Sequence, residues 1–101
     1  MTIIDLYDVK LANAQSGGHW FEPGTLRFFR SRLPQVAYQG PGGTYFVSSE
    51  QFRGSNGARA PRAYTVRRFH PETGDVDTVG EFQAYKHRST ADRAARKLAL
   101  G

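Results

Sequence analysis

The side chains able to carry chemistry are few, and their spacing does not bring them together. Histidine occurs at His19, His70 and His87. The first sits beside Trp20 and Phe21, the second opens a turn, and the third lies between Lys86 and Arg88. A zinc site needs three or four ligands at recognisable spacing, and a hydrolase needs a nucleophile and a base that can meet. Neither pattern is present. Cysteine is absent, which removes disulfides, thiolate metal sites and thiol nucleophiles together and suits a reducing compartment. Ser48, Ser49 and Glu50 form a polar run on a strand, without the glycine-flanked elbow or paired histidine that activates a serine. Asp77 and Glu81 read as strand carboxylates opposite arginines rather than as an acid pair. The glycines of Gly40-Pro41-Gly42-Gly43 precede a strand instead of a helix and carry no Lys-Ser/Thr. They predict a hairpin turn, not a phosphate loop. No enzyme, metal or cofactor is expected.

Charge is the stronger signal. Lys and Arg total 14 against 9 acids, a net charge of +5 and a pI near 10.0. Residues 51–70 carry +5, residues 71–85 carry −4 and residues 86–101 carry +4. The first two of these are the arms of one hairpin and the loop before it. With a turn at 71–74, His70 pairs with Asp75, Arg68 lies opposite Asp77, and Arg62 and Tyr64 fall near Glu81 and Gln83. The hairpin then cancels its own arginines. What remains uncancelled is Arg53 and Arg59 in a loop, with Lys86, Arg88, Arg93, Arg96 and Lys97 around the last helix. A basic helix face beside an Arg/Gly/Ser loop is the electrostatic outline of a nucleic-acid-binding protein. Five phosphate contacts would give a logarithmic salt slope of about −4 to −5 on duplex DNA. Tyr45, Tyr64 and Tyr85 could stack bases if they faced solvent, although a chain this short is expected to use its aromatics as core.

The elements that must position these side chains follow from periodicity and punctuation. One domain over residues 1–101 is expected, because the chain is too short for two. Thr2 as an N-cap, the spacing of Ile3, Leu6, Tyr7 and Leu11, and Ser16-Gly17-Gly18 as a stop predict a first helix. The alternation of Ile3, Tyr7, Val9 and Leu11 also fits a strand. A second, short helix runs between Pro23 and Pro34, with Leu26, Phe29 and Leu33 on one side and Arg27 and Arg30 on the other. These make a helical part over 1–34. A β-meander follows over 36–85: VAYQ and TYFVSSEQF as one hairpin, then RAYTVRRF and DVDTVGEFQAY as a second. Between the hairpins, residues 53–61 form a loop. Ser89 or Thr90 caps a final helix over 89–99, with Ala91, Ala94, Ala95 and Leu98 on one stripe and Arg93, Arg96 and Lys97 on the reverse. The expected class is α+β: two N-terminal helices, an antiparallel sheet of three or four strands, and a C-terminal helix packed on the sheet. No run of apolar residues is long enough to cross a membrane, and the two Asp of MTIIDLYDVK are unlike a signal peptide.

Three motifs in order, GHWFEPGTLRFFRSR, YFVSSEQF and RAYTVRRFHPETGDVDTVGEFQAYKHRSTADRAARKLA, run from Gly18 to Ala99. Together they resemble a family of small phage-encoded and mobile-element proteins of unknown function. Glu22 and Gly24 depart from the Ser-type cap and helix-favouring residue expected there, at the start of the second helix. The resemblance implies a viral or prophage origin, a bacterial host cytoplasm and no recognised enzymatic activity. Residues 62–99 alone are similar to the arm-type DNA-binding modules of phage integrases, in which the sheet enters the major groove. That likeness implies Arg62, Tyr64 and Arg68, or Thr65 and Arg67, as base readers. Asp75, Asp77 and Glu81 depart from it by placing negative charge where those modules meet phosphate, and no catalytic domain is present.

The sequence thus leads to a small phage-type accessory protein that binds rather than catalyses. Nucleic acid is the expected partner, with Arg53, Arg59, Arg88, Arg93, Arg96 and Lys97 on phosphates. The alternative is a bacterial host protein held through an aromatic and arginine patch of Trp20, Phe28 and Arg32, residue types that dominate binding hot spots.

Overall fold

β-branched and aromatic residues separated by tight turns set the architecture. The computed structural model describes residues 1–5, 36–51, 57–58, 60–72 and 75–101. Strands β1 (Thr2–Asp5), β2 (Val36–Gly40), β3 (Gly43–Glu50), β4 (Ala63–His70) and β5 (Asp75–Val79) form one antiparallel sheet in the order β1-β2-β3-β4-β5. Helix α1 (Arg88–Leu100) crosses one face. The β2–β3 hairpin closes on Gly40↔Gly43 across Pro41-Gly42, and β4–β5 closes on His70↔Asp75, with Arg68 opposite Asp77. Both turns stand where Gly and Pro predict them.

The N-terminal end differs from expectation. Thr2–Asp5 is an edge strand rather than the start of a helix, with Ile3 opposite Tyr38 and Ile4 opposite Ala37. The adjacent β-branched residues Ile3 and Ile4 suit a pleated backbone better than a helical one. The sheet therefore gains a fifth strand, and α1 is the one helix among the described residues. The second expected helix, between Pro23 and Pro34, lies outside them. β5 also ends earlier than expected. Gly80 takes a positive φ of 73°, and the strand stops at Val79 instead of running on to Tyr85.

Strand alternation divides the core between the two faces of the sheet. Toward α1, Tyr38, Tyr45, Val47 and Val66 pack on Ala91, Ala95 and Ala99, with Tyr64, Val79, Tyr85 and Ala94 at the margin. On the opposite face Ala37, Phe46, Phe69 and Val76 are buried together with Thr44, Ser48 and Thr65. The buried stripe of α1 spaces by fours, Ala91-Ala95-Ala99, so Ala99 replaces the expected Leu98, which is exposed. Methyl side chains let the helix axis approach the sheet closely enough for the tyrosine rings to fill the interface from below. Ala95→Leu adds three carbons where nothing is exposed. It should lower the free energy of unfolding by about 1–2 kcal/mol through overpacking, read as an earlier urea midpoint at unchanged slope.

Candidate functional site

The cations of the C-terminal region gather on one element. Arg88, Arg93, Arg96 and Lys97 are all exposed on α1, and Lys86 is exposed just before it. From Arg88 to Lys97 the helix rises about 13–14 Å. Two of the guanidinium groups rest on tyrosines of the sheet: Arg88 lies 5.9 Å from the centre of the Tyr64 ring, and Arg96 lies 5.0 Å from that of Tyr38. Such seating buries the aliphatic stem and holds the charge at the surface without neutralising it. Arg93 and Lys97 are one turn apart on the outward side, and neither makes an ion pair among the described residues. Asp92 is the sole carboxylate of α1. It accepts a hydrogen bond from the Tyr38 hydroxyl at 3.2 Å and stands 3.9 Å from Nε of the half-exposed Arg88, a loose pair.

The second hairpin does not cancel its arginines through the carboxylates opposite them: Arg67 is paired internally, while Arg62 and Arg68 stay exposed. Asp77 sits 2.6 Å from His70 Nε2, while the Arg68 guanidinium lies over the Tyr45 ring at 5.7 Å. Arg67 points to the other face. Its Nε donates to Ser48 Oγ at 2.8 Å, its Nη1 to Thr78 Oγ1 at 2.6 Å, and its Nη2 to Glu50 Oε1 at 3.0 Å. Glu50 also accepts from Ser48 Oγ at 2.6 Å and from Thr65 Oγ1 at 3.1 Å, and Thr65 Oγ1 accepts from the Gln83 backbone N–H at 2.9 Å. Ser48 and Thr65 are fully buried. Ser48 is thus closed to solvent inside a hydrogen-bonded cluster, whereas Ser49 is half-buried. Arg62 joins it from outside through a 2.6 Å hydrogen bond to Ser49.

Several expected roles fall away on this geometry. Of the base readers implied by the integrase likeness, Thr65 is buried, Arg67 is held by three side chains and Tyr64 is half-buried beneath Arg88, while Arg62 and Arg68 are exposed. Tyr45 is buried and Tyr85 half-buried, so none of the three candidate tyrosines stands free as a stacking ring. The N–H of Gly42 is committed to the carbonyl of Ala99 at 2.9 Å, which settles the glycine turn as a structural seat rather than a phosphate loop. His87, not Ser89 or Thr90, occupies the N-cap of α1 and makes no side-chain cap bond. Arg53 and Arg59, like His19, Trp20, Phe28 and Arg32, lie outside the described residues.

One exposed side chain escaped the sequence argument. Phe82 follows Gly80 in a segment expected to continue β5, and it stands 49% exposed with its ring 5.5 Å from the Arg67 guanidinium. The glycine at position 80 was the available signal, because a glycine inside a strand pattern often marks a break or bulge.

Among the described residues no three His, Asp or Glu side chains come together as a metal site, and no helix is long and apolar enough to cross a membrane. Comparison with curated proteins and with solved structures finds no match. A family model does match, over residues 5–96, a span that takes in β2 to β5 and most of α1. The chain belongs to that family, a family of unknown function designated DUF7447.

Proposed function

We propose that the protein is a non-catalytic binding module for nucleic acid, which it holds by the phosphates along the outer side of α1. The observation that carries this is the collection of Arg93, Arg96 and Lys97, with Arg88, on one helix whose single carboxylate, Asp92, is engaged by Tyr38 and only loosely by Arg88. Cations fixed on a rigid element meet a polyanion without first losing side-chain freedom, and releasing the counterions of the phosphates drives the association. Three or four phosphates neutralised on a duplex would give a logarithmic salt slope of about −3 to −4. On this reading, and on the likeness of its motifs to small phage-encoded proteins, the working compartment is a bacterial host cytoplasm. The alternative partner, a host protein held by Trp20, Phe28 and Arg32, rests on residues outside those described, and nothing in the geometry favours it.

The test is charge reversal at the two outward positions. Arg93→Glu with Lys97→Glu should weaken binding of labelled DNA and RNA by about 10- to 100-fold at about 50 mM salt and flatten the salt slope by about 2. The thermal midpoint should stay within about 2 °C, since neither side chain reaches the core. Fluorescence anisotropy and a melting curve read both. Equal binding by variant and parent overturns the proposal, as does a parent protein that retains neither DNA nor RNA at that salt.

A further inference from the structure

An open sheet has two edges, and this chain builds them differently. Among the described residues the sheet ends at β1 on one side and at β5 on the other. An edge strand offers its outward backbone donors and acceptors as a template for another strand unless charge, proline or a bulge blunts it. β5, Asp75-Val76-Asp77-Thr78-Val79, carries two aspartates. β1, Thr2-Ile3-Ile4-Asp5, pairs with β2 in unbroken register and has no lysine, proline or bulge. Ile3 lies opposite Tyr38 on the helix side of the sheet and is 56% exposed, and Val36, on the same side of β2, is 41% exposed. α1 packs on Tyr38 and on β3 and β4, and leaves these two side chains uncovered.

Symmetry decides what a second copy would meet at each edge. Two identical edges that pair antiparallel are related by a two-fold axis perpendicular to the sheet, which keeps each face on its own side, so only residues of the same face stand opposite one another. On β5 the register that overlaps the whole strand sets Asp77 against Asp77 of the second copy, and like charges directly opposite are destabilising. On β1 the register centred on Ile3 sets Ile3 against Ile3 of the second copy and Thr2 against its Ile4. Those pairs are uncharged and suit a pleated surface.

We propose that β1 is a dimerisation edge, to which a second copy of this chain adds its own β1 antiparallel with Ile3 on the two-fold axis, making one sheet continuous through both copies. Both α1 helices then lie on the same face, five strand spacings or about 24 Å apart. That is more than twice the screening length of about 10 Å at 0.1 M salt, so their cations oppose the pairing little. The pairing does not depend on the nucleic-acid reading. Where that reading holds, the dimer presents two basic helices to one polyanion, and the second contact becomes intramolecular.

The edge is short, below the roughly 800 Å² per partner of a standard interface, so the dimer is weak and forms only at concentration. Sedimentation velocity from about 5 to 500 μM protein, without nucleic acid, should show the mass climbing from the 11.3 kDa of one chain toward twice that value. Ile3→Lys sets two ammonium groups against each other at the axis and should hold the mass at one chain throughout. The chain has no cysteine, so Ile3→Cys carries a single thiol, and directly opposed Cα atoms about 4.5–5.5 Å apart suit a disulfide. Under mild oxidation it should form a covalent dimer about tenfold faster than Ser89→Cys, at an exposed position at the start of α1. This second variant answers for an Ile3→Lys chain that fails to fold. A parent that stays monomeric at the highest concentration overturns the inference. So does an Ile3→Lys variant that associates as the parent does, or an Ile3→Cys variant that crosslinks no faster than Ser89→Cys. None of these results touches the α1 reading, which is measured with nucleic acid present.

Discussion

Glu50→Ala should bring the protein near to unfolding, lowering its stability by about 3–5 kcal/mol out of the 5–15 kcal/mol typical of a domain. The urea midpoint would fall by roughly half. The magnitude follows from what the carboxylate holds. Its side chain and that of Arg67 are each only 12% exposed, and the pair closes at 3.0 Å. Removing the carboxylate takes the Glu50 charge from a guanidinium largely out of water, and it strands the hydroxyls of Ser48 and Thr65, both fully buried. Stranded buried donors cost more than the bonds they made were worth in net terms. The converse substitution discriminates. Glu50→Leu with Arg67→Met removes both charges while keeping apolar volume, and should recover at least half of the loss, because a matched ion pair itself contributes little beyond an apolar pair of similar size. A double-mutant cycle on denaturant midpoints measures the coupling. If Glu50→Ala unfolds within about 0.5 kcal/mol of the parent, the cluster does not brace β3 against β4.

That brace marks the boundary of what the sequence makes legible. The turns at Pro41-Gly42 and at 71–74 are local, and glycine and proline declare them. From the second turn alone the register His70↔Asp75 and Arg68↔Asp77 follows, and the sheet adopts it. Backbone register does not choose side-chain partners, however. Asp77 turns to His70, Arg68 lies on Tyr45, and Arg67 reaches across to Glu50 on β3. The last of these depends on the pairing of β3 with β4, whose connection carries no tight-turn signal to fix it. Non-local pairing also explains the N-terminal difference. Ile3 and Ile4 read ambiguously by themselves, and their partners Tyr38 and Ala37 are more than 30 residues away in the chain. On α1 the basic side was legible because helical spacing and charge are both local, and Arg93, Arg96 and Lys97 stand exposed as their periodicity requires; Arg88, placed before the expected helix, opens it and leans on Tyr64. Phe82 was not, because an interrupted strand differs from a continuous one only in whether Tyr64 meets residue 81 or residue 85.

The same distinction between local signal and distant contact governs the glycine turn. Gly42→Ala should destabilise the protein by about 3 kcal/mol, a fall of roughly 10–20 °C in thermal midpoint. As a turn alone, Pro41-Gly42 would tolerate alanine at position 42, whose φ is not positive. The helix forbids it. A methyl group there would lie 2.0 Å from the carbonyl oxygen of Leu98 and 3.0 Å from Gly101 Cα, all backbone atoms that cannot swing aside. At Gly40 the same addition meets the carbonyl oxygen of Ala99 at 2.3 Å. The hairpin is pressed against the last turn of α1 because the Gly42 N–H satisfies the Ala99 carbonyl, one of the acceptors that a helix end leaves without an intrahelical partner. The Tyr45 hydroxyl braces the turn from beneath by donating to the Gly42 carbonyl at 2.9 Å. Accommodating one methyl therefore requires the C-terminal turn to lift, which breaks that bond and loosens Ala99 from the sheet. Because Arg96 and Lys97 ride on this turn, binding to nucleic acid should weaken along with stability in the alanine variant, whereas Arg93→Glu with Lys97→Glu separates the two. Hydrogen exchange would locate the damage: amides of residues 97–101 should lose protection before those of β3 and β4. An alanine variant that melts with the parent and protects those amides equally would mean that the seat between hairpin and helix does not hold the helix down.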